Sequence, residues 1–166
     1  MQDTDELIRG ARSFGEIFSI ARRCVYDVLG KRRAGLMLGL SPLGIYPDGF
    51  VGAYHQMGTN IIVLNDTLIR KISRTKPEML NYYIFHLLMH EYLHSLGVTD
   101  EWTTRLLTYD ITRKVFGDGH ILTRIARRFE EFLPNLRYYD RLSALPDGHD
   151  ITLIDNFEEE DTSYIG

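Results

Sequence analysis

A single cysteine, Cys24, stands in 166 residues, so no internal disulfide can form and nothing points to an oxidising compartment. Long apolar runs are missing too. No stretch reaches the roughly 18 uncharged residues of a membrane span, because Glu91 and several polar groups interrupt the best candidate. The chain opens Met1-Gln2-Asp3-Thr4-Asp5-Glu6, acidic and with no apolar signal core behind it. An excess of positive charge is also lacking. With 19 Lys and Arg against 23 Asp and Glu, the formal net charge of −4 gives no global electrostatic case for nucleic acid. We therefore expect a cytoplasmic protein with no membrane partner, and nucleic acid is a disfavoured one.

What is present suffices for one domain with a real core. Hydrophobic residues make up 44% of the chain and charged residues 25%, an ordinary soluble composition. Charge is uneven: basic clusters occur at Arg22-Arg23, Lys31-Arg32-Arg33 and residues 124–128, and Glu158-Glu159-Glu160-Asp161 is acidic. The simplest reading of each is a solvated face, with the acidic run a frayed terminus. This divides the chain into a single domain over 1–150 and an acidic C-terminal tail over 151–166.

Leu7, Phe14, Ile17, Phe18, Ala21, Val25 and Val28 recur at helical spacing over about residues 4–29, ending at Gly30. Three strand-like runs follow, at 34–40, 50–55 and 60–65, with Met57-Gly58-Thr59 as a hairpin turn between the last two. A short helix over 66–73 has Asn65 or Asp66 as its cap. Pro77 begins a long apolar helix and Gly97 ends it. Further helices are expected over 100–116 and 120–133, and the stretch containing Pro146-Asp147-Gly148 reads as irregular. The fold class is α+β: a small, mainly antiparallel sheet packed on helices.

The long helix carries His90-Glu91-Tyr92-Leu93-His94, an H-E-x-x-H motif. Residues four apart share a helix face about 6 Å apart along the axis, so both imidazoles can converge on one Zn²⁺ ion per chain. Glu91 stands one position round, where it can hold and deprotonate a water. Chance or packing could also place these three residues on a helix. The run Tyr82-Tyr83-Ile84-Phe85-His86-Leu87-Leu88-Met89 leads into them, however, and an apolar setting makes unpaired His and Glu costly. A metal removes that cost.

Catalytic zinc takes three protein ligands. Gly97 permits a sharp reversal after the helix, and Asp100 could then swing back beneath the imidazoles. Asp100 is also where an N-cap for the next helix belongs. The spacing resembles the metzincin pattern H-E-x-x-H-x-x-G-x-x-H with Asp100 replacing the last histidine, a variant known among small secreted zincins. SprT-like and related minimal metallopeptidases share H-E-x-x-H on a long helix. The chain has no methionine after Met89, so the metzincin Met-turn has no counterpart, and a helix follows Asp100 directly. The resemblance is thus to a compact zincin, and it implies zinc-dependent peptidase activity. It leaves Glu101 open as third ligand, since gluzincins use a helix-borne Glu, and His120 by analogy with the distant histidine of SprT-like enzymes. An intervening helix would carry His120 roughly 24 Å away.

The remaining candidates read as structural. The row of His86, His90 and His94 spans about 12 Å, which keeps His86 from joining one ion. His55 and His149 read as incidental. Tyr109, Tyr138 and Tyr139 could each donate a hydrogen bond to a tetrahedral intermediate, and each packs as readily. The expected substrate is a peptide or unfolded protein segment, with the hairpin of residues 50–65 pairing to it by strand addition. Two other readings stay open: a non-catalytic zinc-binding regulatory module, and an SprT-like nucleic-acid-associated protease.

Overall fold

The helical spacing of the first thirty residues builds two helices in place of the expected one. In the computed structural model, which describes residues 3–133, the backbone of 138–139 and residues 150–158, α1 (Thr4–Gly10) stops before α2 (Phe14–Leu29) begins. Ser13 makes the break. Its backbone is extended and its hydroxyl accepts the Glu16 N–H at 3.1 Å, a cap that starts a helix afresh. Gly30 closes α2 at φ 68°, a left-handed conformation that costs glycine nothing.

The strands follow as β1 (Met37–Ser41), β2 (Phe50–Val51), β3 (Ala53–His55) and β4 (Ile61–Asn65). Then come α3 (Asp66–Thr75), a 3₁₀ turn at Pro77–Met79, α4 (Leu80–Ser95), α5 (Glu101–Phe116) and α6 (Ile121–Arg127). Short strands β5 (Tyr138–Tyr139) and β6 (Thr152–Ile154) complete the order. The four-stranded sheet runs β3-β4-β1-β6, and β2 pairs separately with β5. The class is α+β.

Two expectations change. The sheet is mixed: β3 pairs antiparallel with β4 and β6 antiparallel with β1, as the mainly antiparallel expectation had it, while β1 lies parallel to β4 from Met37↔Ile61 to Ser41↔Asn65. Periodicity along a strand says nothing about its partner's direction, so only the local β3–β4 hairpin was predictable. The boundary at residue 150 also moves. Residues 152–154 add to β1, and Phe157 is buried and stacks on Phe18 at 4.2 Å between ring centres. Glu158 accepts the N–H groups of Gly35 and Leu36, each at 2.9 Å. The acidic run therefore begins as an anchor, and residues 159–161 lie outside the described residues, as do Pro146-Asp147-Gly148 and His149.

Helix α4 is the centre of the packing. Every residue from Tyr82 to Leu93 is buried, as expected of a helix that is apolar on all sides and enclosed by α1, α2, α5, α6 and the sheet. Its C-terminal end is held by Arg33, whose guanidinium donates to the Ser95 carbonyl at 2.7 Å and the Thr59 carbonyl at 3.3 Å. The Tyr92 hydroxyl accepts the Arg33 N–H at 2.9 Å. A cation at the negative end of a helix is favourable, and here it ties α4 to the β3–β4 hairpin. No helix among the described residues is long and apolar enough to cross a membrane.

Candidate metal centre

The end of α4 and the start of α5 build this site together. Gly97 adopts φ 105° and donates its N–H to the His94 carbonyl at 3.0 Å, and Val98 donates to Leu93 at 3.2 Å. This reversal sends the chain back across the end of the helix it has just left. Asp100 then caps α5: its carboxylate accepts both the N–H and the hydroxyl of Thr103, each at 2.8 Å. With the cap fixed, the next residue projects from the first turn of α5 towards α4.

That residue is Glu101, and it closes on both motif histidines. Its Oε2 lies 3.2 Å from His90 Nε2 and its Oε1 lies 2.5 Å from His94 Nε2. One donor atom from each of the three residues lies within 4.8 Å of the others. The two imidazole rings stand nearly edge to face, 4.9 Å between centres. His90 is buried and the Glu101 side chain is 35% exposed, so the cluster opens to solvent on the Glu101 side. Comparison with protein-family models, curated proteins and solved structures finds no match. The argument therefore rests on these side chains.

The expectation for the third ligand is corrected. Asp100 spends its carboxylate on the helix cap and takes no part in the cluster, while Glu101, one methylene longer and one residue on, reaches both imidazoles. His120 is excluded by its own partners. Its Nδ1 accepts the Leu122 N–H at 3.0 Å, and its Nε2 lies 2.7 Å from Asp5. His86 is buried, 6.3 Å ring to ring from His90, and outside the cluster. Burial and the neighbouring His90 push its imidazole down to about 3. His55 donates through Nε2 to the Thr59 carbonyl at 2.9 Å, bracing the hairpin turn. Glu91 is buried at 3% exposure on the same helix as both histidines. Tyr109 is half-buried, and the side chains of Tyr138 and Tyr139 lie outside the described residues.

The electrostatics follow from the contacts. Burial alone would raise the Glu101 carboxyl, but the bonds to His90 and His94 outweigh it and hold the group down at about 2. Burial alone would lower the His94 imidazole. The bond to Glu101 and the charges of Glu91 and Glu101 win, and its pKa rises. These are ordinary results of an opposed-charge pair in a half-buried site.

Two imidazole nitrogens and a carboxylate form a donor set that suits zinc. Tetrahedral bonds of about 2.1 Å place donor atoms ~3.4 Å apart. The His90–Glu101 separation is close to that, the His94–Glu101 contact is shorter, and the three donors lie within 4.8 Å of one another. The three residues could hold a metal ion. A cavity of about 670 Å³ lies elsewhere, along α1 and α2, and none of the three donors lines it. Its wall mixes Arg22, Arg23 and Arg32 with Glu6, Glu16 and Asp27, an arrangement with no convergent chemistry.

Two contributors escaped the sequence reading. The Val98 carbonyl accepts from His94 Nδ1 at 2.7 Å, and the Thr104 hydroxyl lies beside both. A signal for the second existed: Thr104, Thr108 and Thr112 recur every four residues along the buried face of α5, one turn on from Glu101.

Proposed function

We propose that this chain is a zinc-dependent metallopeptidase that cleaves peptides or unfolded protein segments in the cytoplasm. The observation that carries the reading is Glu101 closing on both imidazoles of H-E-x-x-H, with Glu91 buried on the same helix. His90, His94 and Glu101 hold the metal, a helix-borne Glu third ligand that moves the likeness towards the gluzincin side of the zincins. A bound zinc ion supplies a Lewis acid that acidifies a water molecule and polarises a peptide carbonyl. Glu91 accepts the proton of that water and passes it to the leaving amine.

Strand addition of an extended substrate narrows to β3, because the outer side of Phe50–Val51 is taken by β5. The nucleic-acid reading loses support from the basic clusters. Arg33 is committed to the end of α4, Arg32 lies over the Tyr26 ring at 4.4 Å, and Arg124 pairs with Glu131 at 2.5 Å. The test is metal analysis of purified protein together with proteolysis of unfolded casein, with Glu91→Gln as control. The amide keeps the shape and cannot accept a proton, so zinc is retained while turnover falls by about 10²–10⁴. Equal turnover in the variant would overturn the mechanism. A zinc-loaded but inactive wild type would favour the non-catalytic binding module.

A further inference from the structure

The Nδ1 side of His94 is held as firmly as its Nε2 side. Nδ1 lies 2.7 Å from the Val98 carbonyl, and only a protonated nitrogen can bond there. The carbonyl thereby keeps a proton on Nδ1, while Nε2 faces the Glu101 carboxylate, which holds a proton there until a metal takes its place. What holds the carbonyl is less obvious. Val98 sits in the turn after Gly97. The Thr104 hydroxyl lies 3.2 Å from the Val98 carbonyl, 2.7 Å from the Asp100 carbonyl and 3.5 Å from His94 Nδ1. One hydroxyl thus touches the tautomer-setting carbonyl, the ligand ring and the backbone of the residue that caps the Glu101 helix. Thr104 has no exposed surface, at a position where valine would fill the same volume without a polar atom.

We propose that Thr104 is a positioning residue of the metal centre, its hydroxyl holding the turn so that the Val98 carbonyl keeps the His94 proton on Nδ1 and leaves Nε2 to the metal. The inference rests on the metal-centre reading above and adds a residue to it. Because the Val98 carbonyl keeps His94 as a donor, Thr104→Val leaves no buried acceptor wholly unpaired and the fold survives.

The experiment compares wild type, Thr104→Val and Thr104→Ser by zinc titration against a competing chelator. Nitrogen NMR of the His94 ring in full-length, metal-free Glu101→Ala protein at alkaline pH, with and without Thr104→Val, gives a second readout in which no carboxylate competes for the Nε2 proton. Thr104→Val should lower zinc affinity by about 10–100-fold, the usual effect of losing a group that orients a ligand, and Thr104→Ser should restore most of it. In the Glu101→Ala background the ring should carry its proton on Nδ1, and adding Thr104→Val should show both tautomers. Wild-type affinity in Thr104→Val would overturn the proposal. So would weakened affinity with unchanged ring nitrogens and no rescue by serine, which marks a packing role only. Failure of the wild type to bind zinc would instead overturn the metallopeptidase reading, and the ring nitrogens would still decide the role of Thr104.

Discussion

The carboxylate of Glu101 sits 2.5 Å from the Nε2 of His94, on a different helix and only seven residues later in the chain. The contact exists because α4 ends in a reversal and α5 begins in a cap, so a short loop returns a first-turn residue to the last turn of the helix before it. If this pair and His90 are the ligands, Glu101→Ala should weaken zinc binding by more than about 100-fold, beyond the 10–100-fold usually lost with an outer partner. Trp102 supplies the assay. It is the only tryptophan, 67% exposed and adjacent to Glu101, so zinc addition should shift its emission in the wild type. An identical titration curve for Glu101→Ala would remove it from the ligand set.

Asp100 separates from Glu101 on one substitution. Serine caps a helix well and binds zinc poorly, so Asp100→Ser should leave zinc affinity near that of the wild type. Asp100→Ala removes the bonds to Thr103 and should lower the melting temperature by roughly 2–4 °C, the size of an ordinary cap loss in a chain of this length. Chelator competition and thermal melts on the two variants check both halves. Loss of zinc from the serine variant with an unchanged melt would return Asp100 to the ligand set.

Local punctuation was legible at several helix ends, though not at the Ser13 cap that splits α1 from α2. Asn65 caps α3, Gly30 and Gly97 end their helices at positive φ, and Pro77 opens the turn that leads into α4. Each of these signals acts within a few residues. The motif histidines were legible for the same reason, since helical spacing alone places them. The parallel pairing of β1 with β4 was not, because it joins segments more than twenty residues apart by a choice that either strand pattern permits. The third member of the cluster fell between the two cases. The cap at Asp100 could be read, but the direction in which α5 aims Glu101 depends on how α5 packs against α4.

The C-terminal strap was missed because Thr152–Ile154 is short and its residues are largely exposed. Its anchor is nevertheless apolar: Phe157 is 4% exposed and stacks on Phe18, which meets Tyr92 of α4 edge-on at 5.4 Å. Phe157→Ala should therefore cost about 3 kcal/mol in urea denaturation, as for other buried phenylalanines. A cost under about 1 kcal/mol would mean that the strap rests on the surface without contributing to the core.

Asp5 makes a second long-range tie, and its ionisation gives the fold a sensitivity to acid. Its carboxylate receives the Tyr82 hydroxyl at 2.7 Å, the Arg9 guanidinium at 2.7 Å and His120 Nε2 at 2.7 Å. These bonds join α1 to α4 and to the cap of α6. Burial alone would raise the Asp5 carboxyl, but the bonds from Tyr82, Arg9 and His120 and the charge of His120 outweigh it and hold the group below its ordinary 3.8. The Tyr82 hydroxyl is pushed up to about 12 by burial and by that same bond, so it remains a donor across the working range. A carboxyl depressed in the folded state binds fewer protons than in the unfolded chain. Its stabilisation is therefore fully present above pH 3.8 and is lost as pH falls through the folded-state value. Asp5→Asn should be less stable than the wild type near neutrality, and the gap between the two should narrow as the pH drops below about 4. Parallel denaturant titrations across that range measure it. A gap that stays constant to low pH would show that charge at Asp5 contributes nothing to holding α1 in place.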